Sequence, residues 1–561
     1  MNTTYTLSDR NGILDRINNE MFDLAVIGGG ITGAGVARDA ASRGMKVALV
    51  EAQDFAEGTS SRSSKLIHGG IRYLENLEFG LVFEALSERR LLFELAPHLV
   101  HPLRFVLPLY RGSRVGMFKM SLGMWLYDAL SMFEAPELHE RLTAAESLER
   151  LPLLQSHNLL GSFVYSDAYM DDDRLVIETL RSAVSLGAAC ASYVKCDGSD
   201  FVNGRVTALQ CSDLLTGRRL RIRAKHFIST VGPWTDAVAP KIVAGGWRNI
   251  LRPSKGIHLT FDRRRLQLNQ AVVMASDDQK RIVFGIPRHE MIIVGTTDTD
   301  YSGDPADVKT TPEDVEYLLK VAGEYFPGAG LTAKDIISSY AGVRPLVDDG
   351  AATESKTSRE HLIIHDPRNV TFVAGGKYTT YRRMAEQTVE VALAAFSLEE
   401  QVRFKNSVTK TPLNPKATVG SIEDSLRRSP EIAQAYNMAR SEIELLISRH
   451  GGEALDILQL GQRTVSDQNL NSEQKFWELE AEHAIRHTMC ITLVDFFYRR
   501  SNLVLSRRDH GLIHLVNISR VFARNLGWSE AERQEQMTRV QAHIRHELAW
   551  KQRFGINSSS F

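Results

Sequence analysis

Gly28-x-Gly30-x-x-Gly33 is the first group in this chain whose residue types and spacing imply a chemistry. Gly28 permits a tight turn, Gly30 lets the backbone approach a pyrophosphate, and Gly33 lets a helix pack closely on a strand. Ile31 and Thr32 stand where that helix opens, and N–H groups there carry a partial positive charge suited to phosphate. Glu51 lies 23 positions beyond Gly28, where a ribose hydroxyl needs an acceptor. An acid at that position, in place of an Arg, disfavours a 2′-phosphate. An adenine dinucleotide is the expected ligand.

The stretch QDFAEGTSSRSSKLIHGGIRYLE follows. It carries the five hydroxyls of Thr59, Ser60, Ser61, Ser63 and Ser64, then Lys65, His68 and the pair Gly69-Gly70. A region so rich in small polar residues can wrap a flavin and hydrogen-bond its heteroatoms, which favours FAD over NAD. Lys377 follows Gly375-Gly376, so its backbone can approach a flavin closely, and a cation near the ring's N1 favours hydride acceptance. Thr379 and Thr380 open the next helix, where capping and cofactor contact coincide. His258, in SKGIHL, lies in an apolar alternating strand, and its neutral imidazole can accept a proton near physiological pH.

These residues need elements to hold them. FDLAVIGGG reads as a wholly apolar strand over Leu24–Ile27, ITGAGVARDAASRG as a helix stopped by Gly44, and KVALVE as a second strand, together one βαβ unit. Residues 77–130 read as mostly helical, and 190–230 as strands and hairpins. The alternating cations of RRLRIRAK mark a solvated strand face. GIHLTF, AVVMAS, RIVFGIP and MIIVGTT form another strand-rich block over about 250–300. Past about 400, amphipathic helices dominate, beyond a linker near 395–410.

At 561 residues, with 43% hydrophobic and 24% charged, the chain suffices for about three domains. A net charge of -1 argues against a general nucleic-acid binder. The cysteines, Cys190, Cys196, Cys211 and Cys490, make no CxxC pair, so neither a disulfide scaffold nor a metal site is expected, and a reducing compartment is the simpler reading. The N-terminus lacks the apolar run of a signal peptide, and no stretch of 18 residues avoids charge as a membrane span would. The 21 residues before the first strand read as a loose arm or short helix.

The segments DLAVIGGGITGAGVARDAASRG, VEAQDF, TSSRSSKLIHGGIRYLE, APHLVHPLRFVLPLY, SDAYMDDDRL, TVGPW, SKGIHL, RIVFGIP, IIVGTTDTDYSGDP, YAGVRPLVDD and FVAGGKYTTYRRMAE resemble, in order, the FAD-dependent, quinone-linked glycerol-3-phosphate dehydrogenases. The resemblance covers about residues 22–395, with a looser one after. It implies an α/β Rossmann-like FAD-binding domain of the glutathione-reductase/D-amino-acid-oxidase type, an antiparallel β-sheet substrate cap, and a C-terminal α-helical domain. The expected limits are 22–82, 155–245 and 340–395 for the first, 83–154 and 246–339 for the cap, and 400–555 for the helices.

The resemblance also implies oxidation of sn-glycerol 3-phosphate to dihydroxyacetone phosphate, with hydride transfer from C2 to flavin N5. A dianionic substrate needs guanidinium forks. Arg344, in a turn-like Gly/Pro context, Arg359 and Arg72 are placed by the resemblance at the substrate pocket, with Tyr73 and Lys377 beside them, and Gly232 and Trp234 join the cofactor set. His258 is the expected base, unless Arg344 or Lys377 lowers the alcohol's pKa enough to make a strong base unnecessary. Ubiquinone or menaquinone at the inner face of the cell membrane is the implied acceptor, with the protein cytoplasmic and peripheral. Arg382-Arg383 and YRRSNLVLSRR are the segments whose cations could face lipid, although a solvated helix face is the commoner meaning. A homodimer stays open. The rival readings are a glycerol-3-phosphate oxidase, whose cap usually carries an insertion, an amine or amino-acid oxidase on the same fold, and an FAD-binding regulator without catalysis.

Overall fold

The computed structural model describes residues 7–74, 77–276, 281–348, 350, 360–464 and 470–556. Two sheets organise it. In the first, His361–Asp366, Val370–Gly375, Arg219–Ser229, Met21–Ile27, Val47–Val50 and Ala189–Ala191 lie side by side, and Val194–Val202 and Arg205–Asp213 extend it as a hairpin. Met21–Ile27 runs parallel to both neighbours, Val47–Val50 and Arg219–Ser229. Its apolar residues explain that central place: Leu24 and Val26 meet the helices Ile31–Ser42, Asp172–Ser185 and Tyr381–Leu393, while Phe22, Ala25 and Ile27 pack on the other face with Leu209 and Phe227.

The second sheet has ten strands in the order Thr299–Asp300, Leu251–Asp262, Met291–Gly295, Ile282–Arg288, Ala271–Ala275, Val100–Tyr110, Leu159–Met170 and Leu66–Ile67, with Ile336–Val347 on Leu251–Asp262 and Glu140–Thr143 on Leu159–Met170. Its pairings are antiparallel except that of Ala271–Ala275 with Val100–Tyr110.

Two expectations are corrected here and one is qualified. Residues 77–130 are mostly helical as expected, over Phe79–Leu95 and Met117–Leu130, but the strand Val100–Tyr110 divides the two helices. Pro102 and Pro108 forbid a helix interior, and the segment finds Leu159–Met170 as its partner. Leu159–Met170 and Ile336–Val347 belong to the second sheet, so 159–170 and 340–347 leave the FAD-binding limits expected for them. Arg344 accordingly sits mid-strand, opposite Ser254, and not in a turn.

The first residues described form a helix, Leu7–Asn19, fixed by buried Arg10, which pairs with Asp213 at 2.7 Å and donates to the Ser192 carbonyl. The segment expected as a linker is strapped down: Arg38 binds the Thr409 and Thr411 carbonyls at 2.7 Å, and Leu413 N–H binds Leu95 O. The C-terminal helices share one core with the second sheet, in which Phe476, Trp477, Phe496 and Phe522 join Ile257, Leu259 and Phe261. The strand cations behave as expected, Arg219 and Arg221 being exposed and paired with Asp197 and Asp200.

Candidate active site

A cavity of about 1290 Å³ opens between the two sheets. That exceeds the roughly 300–1,000 Å³ of an ordinary small-ligand site and leaves room for a dinucleotide and a substrate together. The glycine loop forms one end. Gly28 has φ +106°, and a Cβ there would stand 2.8 Å from Thr230 O. A Cβ on Gly33 would come within 1.9 Å of Gly28 O, so this close packing requires glycine. The helix Ile31–Ser42 begins with no side-chain cap and no acid in its first turn, leaving its opening N–H groups to an anion apart from that of Ile31, which donates to Ser60 Oγ at 3.0 Å. Glu51 accepts from Gly29 N–H at 2.7 Å and Gln53 N–H at 2.9 Å, while loss of surrounding water pushes its carboxyl pKa up. This uncapped helix end, glycine cradle and acceptor fit the pyrophosphate and ribose of an adenine dinucleotide such as FAD.

Of the expected cofactor residues, Gly28, Gly30, Ile31, Thr32, Glu51, Thr59, Ser60, Ser63, Ser64, His68, Gly232, Trp234, Gly376 and Lys377 line the cavity. Gly33, Ser61, Lys65, Gly69, Gly70 and Thr379 do not. Lys65 is buried and ion-paired with Asp172. Gly69 N–H binds Tyr127 Oη and Asp167 at 3.1 Å. Thr379 and Thr380 are not side-chain caps: His68 N–H donates to Thr379 Oγ1 at 3.2 Å, and Thr380 Oγ1 donates to the Lys377 carbonyl at 3.4 Å. The hydroxyls assigned to a flavin are partly used to join the sheets. Thr59 donates to Val343 O at 2.6 Å, Ser63 Oγ to Asp172, and Tyr340 Oη to Ser63 O at 3.0 Å.

His258 projects into the same cavity. It is 1% exposed, with its ring stacked on Tyr340 at 4.7 Å and Nε2 2.8 Å from Ser64 Oγ. A Cβ on facing Gly295 would strike its ring at 2.2 Å. Burial, then the charges of Arg344 and Lys65, hold its pKa well below the ordinary imidazole value, so it is a neutral acceptor at physiological pH. Arg344 lies alongside, donating to Thr296 Oγ1 at 2.8 Å, Thr297 O at 3.2 Å and Asp298 at 3.2 Å. Gly256 clears space for it, since a Cβ there would lie 2.3 Å from Nη2. Lys377 enters from the strand Val370–Gly375, after Gly375 and Gly376 with φ of +71° and +86°. An imidazole, a guanidinium and an ammonium thus share one chamber with the dinucleotide loop. Arg359 and the side chains of Arg72 and Tyr73 lie outside the described residues.

Several lining residues carried no local signal. His543, His546 and Glu547 arrive on the helix Glu530–Glu547, with Glu547 2.5 Å from Arg62, and the loop 302–310 closes another side. Asp298, which pins Arg344, receives the Ser254 hydroxyl. The cations that could face lipid divide: Arg382 points inward to Glu88 at 2.5 Å, and Arg499 and Arg500 to buried Asp54 at 2.5 and 2.8 Å, whereas Arg383, Arg507 and Arg508 stay partly or fully exposed, Arg383 paired with Glu386 at 2.7 Å. Away from the cavity, His450, Glu453 and His483 converge with ligand atoms within 4.8 Å of one another. Glu453 is engaged there by Arg181 at 2.6 Å, and His450 by Glu480 at 2.9 Å, in an internal ion network.

The model of the FAD dependent oxidoreductase family matches residues 23–382, and that of the C-terminal domain of alpha-glycerophosphate oxidase matches 417–533. An aerobic glycerol-3-phosphate dehydrogenase from Staphylococcus saprophyticus is 34% identical over 543 aligned positions, covering 95% of this chain and 96% of its own. An alpha-glycerophosphate oxidase from Streptococcus pyogenes is 33% identical over 600 positions, covering 96% and 97%. The crystal structure of a glycerol-3-phosphate dehydrogenase from Bacillus halodurans complexed with FAD superposes with a TM-score of 0.78 at 28% identity, over 96% of this chain and 98% of that one. The chain is an FAD flavoenzyme that belongs to the FAD-dependent oxidoreductase family and, within it, to the family of the aerobic glycerol-3-phosphate dehydrogenases.

Proposed function

We propose that this enzyme oxidises sn-glycerol 3-phosphate at C2 to dihydroxyacetone phosphate and delivers the electrons to a membrane quinone. The observation that carries the reading is the placement of Arg344 beside neutral His258, in the chamber that continues from the dinucleotide loop. Bound FAD supplies the two-electron acceptor for the hydride leaving C2. Arg344, oriented by Thr296, Thr297 and Asp298, presents its guanidinium charge to the phosphate dianion, which anchors the three-carbon chain in one orientation. His258 takes the C2 hydroxyl proton, and Ser64 fixes the ring through Nε2. Lys377 steadies negative charge developing across the chamber. Arg72, Tyr73 and Arg359 are proposed as further substrate contacts on the family resemblance. Anaerobic addition of glycerol 3-phosphate to the yellow protein should bleach its flavin band, and a band that persists at saturating substrate refutes the assignment.

The alignment with the oxidase runs longer than that with the dehydrogenase for nearly the same share of this chain, so the oxidase carries inserted residues absent here. That favours quinone over oxygen as acceptor. No helix among the described residues is long and apolar enough to cross a membrane. The helix Met117–Leu130 instead exposes Phe118, Leu122 and Trp125 at 80, 58 and 56%, with Met132 and Phe133 following and Arg111, Arg114 and Lys119 exposed around them. Phe79 and Phe83 of the packed helix Phe79–Leu95 add to this apolar face. Such a face, rimmed by cations, suits an anionic bilayer. It is the proposed seat of peripheral attachment at the inner face of the cell membrane. Co-sedimentation with anionic vesicles tests it, and a protein that stays in the supernatant refutes it.

A further inference from the structure

The strands Val194–Val202 and Arg205–Asp213 run antiparallel, and their register sets Cys196 directly opposite Cys211. Opposed residues of an antiparallel pair share a face, with Cα atoms about 4.5–5.5 Å apart, inside the roughly 4.4–6.8 Å that a disulfide spans. Both are thiols here. Cys196 is half-buried and lines the cofactor cavity beside Val194 and Lys195, whereas Cys211 is buried behind it. A hydrogen bond with Cys196, then burial, holds the Cys211 thiol well above its ordinary pKa. The ladder is irregular beside the pair, its register shifting between Cys196 and Gly198, and such a bulge lets one strand turn its side chain toward the other. Cys190 faces Leu49 on a different strand, and Cys490 is buried in the helical core, so neither competes.

We propose that Cys196 and Cys211 are a redox-active dithiol that closes to a reversible cross-strand disulfide on reaction with a hydroperoxide. Cys196, the accessible member, attacks first. Its sulfur takes one peroxide oxygen as the O–O bond breaks, giving the sulfenic acid, and the other oxygen leaves as water with the thiol proton. The Cys211 sulfur then attacks the sulfenic sulfur, the S–S bond forms, and the second water departs with the Cys211 proton. Two thiols are oxidised by two electrons, and one hydrogen peroxide is reduced to two waters. Closure reaches the cofactor because Val194 N–H donates to Glu51 O at 2.7 Å and Tyr193 N–H to Gln53 O at 2.9 Å. Drawing Cys196 toward Cys211 therefore strains the segment that carries the ribose acceptor.

The test treats the holoenzyme with stoichiometric hydrogen peroxide, then reads intact mass and a non-reducing peptide map. The expected result is a loss of about 2 Da, a peptide joining Cys196 to Cys211, and reversal by dithiothreitol. The linked form should also release FAD several-fold faster, Cys211→Ser should bind FAD normally and form no link, and Cys196→Ser should form no link. Stepwise oxygen gain on Cys196 without a link overturns the proposal, as does a link that appears only after denaturation. A link formed with unchanged FAD release overturns the coupling to Glu51.

Discussion

Replacing Arg344 by Met keeps most of the side-chain volume and removes the charge, and the structure sets the size of the loss. The guanidinium is 21% exposed and held by Thr296, Thr297 and Asp298, and a bidentate contact with phosphate would amount to about two charge-assisted hydrogen bonds. At about 1.5–3 kcal/mol each, discounted toward the lower end for partial solvent access, the loss is about 3–4 kcal/mol, or roughly 150- to 1,000-fold in kcat/KM. Asp298 makes the test sharper. Without Arg344 the Asp298 carboxylate, still bonded by the Ser254 hydroxyl, repels the substrate dianion, so adding Asp298→Asn to Arg344→Met should recover about 1–2 kcal/mol. Anaerobic stopped-flow measurement of flavin bleaching gives both constants for glycerol 3-phosphate and for glycerol. The phosphate ester should lose its advantage while glycerol scarcely responds. Equal losses for the two substrates, or a kcat/KM within threefold of the parent for the ester, refute the phosphate role of Arg344.

His258→Asn should retain FAD yet slow flavin reduction by about 10²- to 10⁴-fold, and because the His258 pKa is held well below 6.5, the parent's kcat/KM should show no fall through pH 6.5 from this group. Gly33→Ala should shed FAD and lower Tm, since its new methyl meets the Gly28 carbonyl at 1.9 Å and the loop must shift, at a cost of about 1–3 kcal/mol; normal FAD content after purification argues otherwise. Acid should destabilise the fold: burial lowers His101 and His226 from 6.5 to about 4, so the unfolded chain binds more protons below 6.5 and stability falls by about 1.4 kcal/mol per pH unit for each, readable in urea midpoints between pH 7 and 5. Phe118→Ser with Trp125→Ser should weaken vesicle binding at least tenfold while turnover with a soluble dye is unchanged, and undiminished binding moves the membrane face elsewhere.

What could be read along the chain was local chemistry. The glycine loop, its helix and Glu51 all lie within residues 28–51, so spacing alone announced them. His258 was legible as a histidine in an apolar strand, although its partner Ser64 is 194 residues away. Helical periodicity misled where prolines should have weighed more, at Val100–Tyr110. Arg344 in GVRPL looked turn-like because Gly and Pro ordinarily break strands, yet Gly342 lies against Arg62 and Pro345 pairs with Pro253 at a point where the sheet tolerates both. The cations at 382, 499 and 500 read as surface charge for a simpler reason: Glu88 and Asp54, which neutralise them, stand 294 and about 445 residues away. No window of sequence contains both halves of such a pair.

Those distant pairs bear on how the site is built. Asp54 sits three residues beyond Glu51, in the loop that turns from the acceptor strand into the polar stretch. It is completely buried, and two guanidiniums of the helical domain hold its carboxyl pKa down against the desolvation that would raise it. A buried carboxylate without those partners would cost several kcal/mol, so the loop can take this course only when the C-terminal helices are docked. Arg62 and Glu547 repeat the arrangement at the other end of the stretch, with both residues lining the cavity. The segment between is tied to the second sheet through Thr59, Ser63 and Ser64. Residues 51–65 are therefore fixed by three bodies at once, and each supplies a contact that the other two cannot. The nucleotide-binding βαβ unit provides the proposed anion site and ribose acceptor, the second sheet provides His258 and Arg344, and the helical domain, which itself brings His543, His546 and Glu547 to the cavity, holds the chain joining them in the shape in which imidazole, guanidinium and cofactor loop face one chamber.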